Sequence, residues 1–173
     1  MPSLKMKDRV KELRRVRAGD LLPNSAQWRV HNKAQTDAMR GVLEEIGFAG
    51  AALAYENAEG QLVLCDGHLR SSLDKNAVIP VLVLDVNEDE AKKLLATYDP
   101  LSAMAQHDQE ALLSLLDSVR FQSQAVNDML EALANGDWQP MPPLFEPVGI
   151  DQQGRLDEKA KVTCPECGHV FAP

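Results

Sequence analysis

The sequence predicts an α+β protein: a small mixed β-sheet with packed helices, then a helical extension and a short cysteine-containing tail. Three observations carry this. A chain of 173 residues suits one domain plus an appendage. The local patterns run helix, strand, helix, strand, strand, helix, strand, then helices only. Residues 78–86 (VIPVLVLDV) are nearly continuous in apolarity, as a buried strand requires. No segment repeats at a fixed period. The expected divisions are a basic arm over 1–17, the mixed-sheet domain over 18–100, a helical extension over 101–136, a Pro-rich linker over 137–160 and the tail over 161–173.

Each element has its own signal. Residues 4–17 hold helix formers with a weak apolar stripe of Leu4, Val10 and Leu13 and no Gly or Pro, which predicts a helix. Residues 16–22 read alternatively as a short strand before the turn at Pro23-Asn24-Ser25. Over 34–47, Ala38, Met39, Val42, Leu43 and Ile46 share one helix face, with Thr36 as the expected cap and Gly47 as the stop. Two apolar runs, 51–55 and 61–65, flank the turn Asn57-Ala58-Glu59-Gly60 and predict a β-hairpin. A short helix follows over 69–75. Residues 88–97 place acidic side chains in the first helical turn and lysines later, as the helix dipole favours. Residues 108–134 contain one long helix or two consecutive ones. Leu112, Leu113, Leu115, Leu116 and Val119 line the first part; Val126, Met129, Leu130 and Leu133 line the second.

Charge is unevenly placed. The formal net charge is −8. Residues 1–33 hold nine Lys or Arg against three Asp or Glu, a net of +6, whereas residues 34–173 hold nine against twenty-three, a net of −14. A basic arm on an acidic body points to contact with polyanions, DNA foremost, through Lys5, Lys7, Arg9, Lys11, Arg14, Arg15 and Arg17. The ordinary alternative is a solvated amphipathic helix. Residues 108–134 carry Asp108, Glu110, Asp117, Asp128 and Glu131 against Arg120 alone, so they suit core packing or protein contact rather than DNA recognition. Aromatic residues at 5% argue against a base-stacking platform. No apolar run approaches the ~20 residues of a membrane span, and no secretory signal is expected at the N-terminus. Three cysteines, Cys65, Cys164 and Cys167, are too few for a disulfide framework, so a cytoplasmic location is expected.

The most informative stretch is VLCDGHLRSS over 63–72. A strand delivers the chain into a turn, and a helix begins at once. Helix starts expose unpaired N–H groups at the positive end of the dipole, and Gly67 lets backbone come close to a ligand. Arg70 adds a planar fork of donors and Ser71 a hydroxyl, which makes a candidate phosphate site. A tight turn capped by Asp66 or His68 is the ordinary alternative.

Residues 14–100 also resemble the N-terminal domain of ParB, the partition protein of the ParB/sulfiredoxin superfamily. Leu21-Leu22-Pro23-Asn24, with Arg29 after it, is similar to the opening strand and Pro-Asn element. The helix ending in Ile46-Gly47-Phe48 is similar to the one ending in "I-x-x-x-G". Residues 61–70 resemble the strand leading into "G-x-R-R", and Ile79-Pro80-Val81-Leu82-Val83 resembles "I-P-V-x-V", followed by the acidic Asn87-Glu88-Asp89-Glu90-Ala91. It looks like the version found in phages and prophages, often beside DNA methyltransferase modules. The resemblance implies binding of a nucleoside triphosphate with magnesium, by Asp66, Gly67, His68, Arg70, Ser71, Asn24 and Arg29. Gly67 and Arg70 match the loop's Gly and second Arg, whereas His68 stands in place of the usual Glu and Leu69 in place of the first Arg. In sulfiredoxins the reactive cysteine follows the Gly directly. Here His68 does, so that chemistry is not expected.

The tail CPECGH over 164–169 has the C-x-x-C turn of a zinc knuckle and resembles half of a zinc ribbon. Zinc takes four ligands, so Cys164 and Cys167 imply a site shared across a homodimer, a lone knuckle that binds weakly or with a partner, a metal-free relic, or a redox pair of the C-x-x-C type. The leading expectation is therefore a nucleotide- or phosphate-binding accessory factor in phage or mobile-element DNA transactions. Two alternatives stand beside it. One is a metal-dependent nuclease or nucleotide hydrolase using Asp66 and His68. The other is a non-catalytic adaptor that docks a DNA methyltransferase.

Overall fold

The structure, a computed structural model, describes residues 5–106, 108–137, 162–163 and 170–171. The chain divides into two units, Met1–Trp138 and Gln139–Pro173. The first is α+β, as the sequence predicts. It contains strands β1 (Val10–Arg17), β2 (Ala52–Glu56), β3 (Leu62–Asp66) and β4 (Val78–Leu84), and helices α1 (Lys33–Glu45), α2 (His68–Leu73), α3 (Glu88–Ala103), α4 (Gln109–Ser118) and α5 (Gln124–Ala134).

The four strands form one mixed sheet in the order β1-β4-β2-β3. β4 is central. It runs antiparallel to β1 and parallel to β2, and β2 pairs antiparallel with β3 as the expected hairpin. Side chains alternate across the sheet. Ala52, Ala54, Leu62, Leu64, Ile79, Val81 and Val83 face one side, where Ala18, Leu21, Phe48 and Ala77 cover them. Tyr55, Val63, Cys65 and Leu84 face the other, under Ala91 and Leu94 of α3. Val81 and Val83 are fully buried, each contributing about 1.5–3 kcal/mol relative to exposure.

Residues 10–17 are a strand, not the expected helix. Val10 and then Glu12 to Arg17 pair with residues 84 to 78 of β4 in a ladder broken by one bulge. Arg14 and Val16 on one side are less exposed than Leu13, Arg15 and Arg17 on the other, so the period is two. Completing β4's hydrogen bonds overrides helix propensity here. The sheet thus crosses the expected boundary between arm and domain at residue 17. The alternative strand over 16–22 is also displaced: Ala18–Asp20 form a 3-10 turn, and Leu22 makes a single parallel bridge to Val63.

The helices follow the sequence more closely, with shifted ends. Asn32, not Thr36, caps α1 by accepting from Gln35 N–H; the Thr36 hydroxyl donates to the Asn32 carbonyl. α3 starts with a reciprocal capping box between Asn87 and Glu90 and runs past the expected end to Ala103. Residues 108–134 form two helices, and α5 packs on α1. A Cβ at Gly41 of α1 would lie 2.3 Å from Ser123 Oγ and 2.9 Å from Val126 Cγ2, so this contact requires glycine. In the second unit, β5 (Val162–Thr163) and β6 (Val170–Phe171) pair antiparallel. Cys164 and Cys167 lie outside the described residues, as do 138–161 and their Pro-rich stretch.

Candidate functional site

The end of β3 and the start of α2 build one wall of a cleft. Gly67, the residue between them, has φ +93°, and a Cβ there would stand 3.0 Å from the Ala52 Cβ. Backbone shape and crowding both demand glycine at this turn. Neither neighbour caps the helix by side chain, because Gly67 itself is the N-cap. The capping alternative for Asp66 and His68 is thereby overturned. Asp66 instead accepts from Arg70 Nη2 at 2.8 Å, one turn later. The Arg70 guanidinium also lies over the Phe48 ring, 5.3 Å from its centroid.

The opposite wall is α3, and the first half of α1 adds Gln35 and Met39. The irregular segment 23–32 crosses between the walls. Its Asn24 N–H donates to His68 Nε2 at 3.2 Å, which makes Nε2 an acceptor and leaves the ring proton on Nδ1. Trp28 Nε1–H donates to the Leu95 carbonyl at 3.3 Å, and Arg29 Nε meets Asp99 Oδ2 at 3.0 Å. Arg29 also lies over the Trp28 ring at 5.4 Å. His31 Nδ1 bonds Gln35 Oε1 at 3.0 Å.

The resulting cleft holds about 220 Å³ and is lined by Gln27, Arg29, His31, Gln35, Met39, Cys65, Asp66, Gly67, His68, Leu69, Arg70, Leu94, Leu95, Tyr98 and Asp99. Two guanidiniums and two imidazoles therefore converge on one concavity, facing two carboxylates. Burial pushes the His68 imidazole below its ordinary 6.5; His31 acts in the same direction, while Asp66 and Asp99 oppose it. Burial, with Asp66 adding to it, pushes the Cys65 thiol up to about 11, so it stays protonated and weakly nucleophilic at neutral pH. Among the described residues no group of three or more His, Cys, Asp or Glu is placed to hold a metal ion.

Of the expected site residues, Asp66, Gly67, His68, Arg70 and Arg29 line this cleft. Ser71 and Asn24 do not. Ser71 is buried and its hydroxyl donates to the His68 carbonyl. Asn24 is buried too, with Oδ1 accepting from Ala26 N–H and Nδ2 lacking a partner. His31, Gln35, Tyr98 and Asp99 join the site without having been singled out by the sequence. His31 lies two residues after Arg29, a short-range clue. Asp99 belongs to the part of α3 beyond the expected helix end and carries no local signal.

The seven cations assigned to DNA contact lie on or just before β1. Arg9 forks onto Glu90 with Nη1 and Nη2 at 2.9 and 2.7 Å. Lys11 reaches Glu56 at 2.8 Å, Arg14 pairs with Glu12 and Glu56, and Arg17 bonds Asn76 Oδ1 at 2.7 Å. Lys5, Lys7 and Arg15 have no ion-pair partner among the described residues. No described helix is long and apolar enough to cross a membrane.

No family model and no curated protein matches the sequence. Among solved structures, the chain is similar to the C-terminally truncated chromosome-partitioning protein ParB from Caulobacter crescentus, complexed with CTP-gamma-S. Identity is 16%, the TM-score is 0.49, and the match covers 60% of this chain and 60% of that one.

Proposed function

We propose that this protein binds a nucleotide, or another phosphate-bearing ligand, in the cleft between α2 and α3 and acts as an accessory factor in DNA transactions, of phage or mobile-element type. The observation that carries the reading is the convergence of Arg29, Arg70, His31 and His68 on one concavity. Guanidiniums recognise phosphate oxygens through a planar fork of N–H groups, and Arg is the residue best suited to this. At about 220 Å³ the cleft is smaller than the roughly 300–1,000 Å³ typical of small-molecule pockets. It takes the phosphate end, and the nucleoside extends past the mouth, where Trp28 and Tyr98 are about half exposed.

Binding is favoured over hydrolysis by two contacts. Asp66 Oδ2 is engaged by Arg70 and His68 Nε2 by Asn24 N–H, so of the two candidate bases the imidazole's acceptor nitrogen is already taken and the carboxylate is partly taken. DNA contact falls to Lys5, Lys7 and Arg15, the arm cations whose side chains have neither an ion-pair nor a hydrogen-bond partner among the described residues; Arg17 is held by Asn76. The test is titration of the full chain with nucleoside triphosphates, with and without magnesium. Saturable binding is expected, weakened about 10- to 100-fold by Arg70→Ala, the scale of one charged hydrogen bond. No binding of any triphosphate, or binding that Arg70→Ala leaves intact, overturns the reading.

A further inference from the structure

The segment 23–32 forms a strap across the cleft, attached by three polar contacts: Asn24 N–H to His68, Trp28 Nε1–H to Leu95, and Arg29 to Asp99. The third involves the strap's own anion-binding group. A carboxylate is the same class of acceptor as a phosphate oxygen. The side-on fork of a guanidinium consists of Nε and one Nη, and Asp99 Oδ2 stands 3.0 Å from Arg29 Nε as an ion pair on that edge. A phosphate that takes this fork must displace Asp99. The Arg70–Asp66 pair differs, since its residues are four apart across the Gly67 turn and it does not involve the strap.

We infer that Asp99 is an internal competitor for the anion at Arg29, so that phosphate binding there and the strap's Arg29–Asp99 attachment to α3 exclude each other. This rests on reading the cleft as a phosphate site. Asp99 is then a positioning and affinity-setting residue. It holds the unliganded strap in place and selects for ligands with more negative charge than a single carboxylate. Trp28 reports the exchange, because its indole stacks against Arg29 and donates to α3.

The test uses inorganic tripolyphosphate and a nucleoside triphosphate on the full chain, in a Trp138→Phe background that leaves Trp28 as the only tryptophan. Asp99→Asn is compared with Glu88→Gln. The latter makes the same charge change on the same helix, outside the cleft lining. Asp99→Asn is expected to bind about two- to fivefold tighter, the worth of a half-exposed ion pair, and to show the ligand-bound Trp28 emission before ligand is added. Glu88→Gln does neither. A second readout needs no cleft variant: hydrogen exchange at the Asn24 amide quickens when ligand binds. If the parent chain binds phosphate but Asp99→Asn binds no tighter, or exchange at Asn24 is unchanged, the competition is refuted and the phosphate site stands. If neither chain binds any phosphate, both fall together.

Discussion

Two sets of cations in this chain meet carboxylates under different conditions. On the sheet edge, Arg9, Lys11 and Arg14 pair with Glu90, Glu56 and Glu12, with cation side chains 37–53% exposed. In the cleft, Arg29 and Arg70 pair with Asp99 and Asp66, are each 25% exposed, and stack on Trp28 and Phe48. The chemistry is the same, but the surroundings differ. Water and salt screen the first set, and a strand spreads it in a line. The second comes from separate elements and points at one volume. Charge counted along the sequence gives the first set the greater weight. Only convergence in space distinguishes a binding site from a well-dressed edge.

The largest effect expected from breaking this comparison is on the fold itself. If residues 1–17 were a free arm, removing them would cost DNA affinity and nothing else. They supply β1, which completes β4's ladder and places Val16 against the core. Truncation before Ala18 therefore exposes the central strand as a sheet edge. Thermal unfolding followed by circular dichroism should lose its cooperative transition or shift down by many degrees. A truncated chain that melts like the full one refutes the structural role of this segment.

Acid separates the two sets next. The His68 pKa lies below its ordinary 6.5 because burial disfavours the charged ring. The unfolded chain takes up that proton first, so this contribution to stability is complete above pH 6.5 and declines as pH falls through the lower folded value. Protonation also removes the acceptor for Asn24 N–H. On the sheet edge, the Arg9 guanidinium and the Asn87 N–H hold the Glu90 carboxyl at about 2, against an ordinary 4.5. That contribution is complete above pH 4.5 and fades towards pH 2. Trp28 emission should therefore change at higher pH than the backbone signal of the sheet. A single transition reported by both probes below pH 4.5 breaks the distinction.

How far the sequence carried each region follows from the range of the contacts. The hairpin, β4 and the Asp66-Gly67-His68 turn were legible because their determinants lie within a few neighbours: alternating apolar residues, a turn ending in Gly60, and Gly67 at a strand end. Arg70 is legible as a donor fork at a helix start, and Arg29 through resemblance alone. β1 was misread because its local composition suits a helix, and the deciding partner, β4, lies more than sixty residues away. Asp99 was invisible for a similar reason. Nothing near it in the chain shows that α3 continues to Ala103 and brings it to Arg29.

The smallest effect concerns DNA. If the exposed edge binds a polyanion, the groups that act are those whose side chains have no ion-pair or hydrogen-bond partner among the described residues, Lys5, Lys7 and Arg15; Arg17 is held by Asn76. Replacing Arg9 or Arg14 instead would disturb ion pairs that tie β1 to Glu90 and Glu56. Each phosphate contact contributes about 0.9 to the slope of log affinity against log salt on duplex DNA. A chain with Lys5, Lys7 and Arg15 all changed to Ser keeps its strand, and its melting temperature should match the parent's within a degree or two. Its salt slope should fall by about three if all three cations touch phosphates. An unchanged slope in the triple variant removes Lys5, Lys7 and Arg15 from DNA contact.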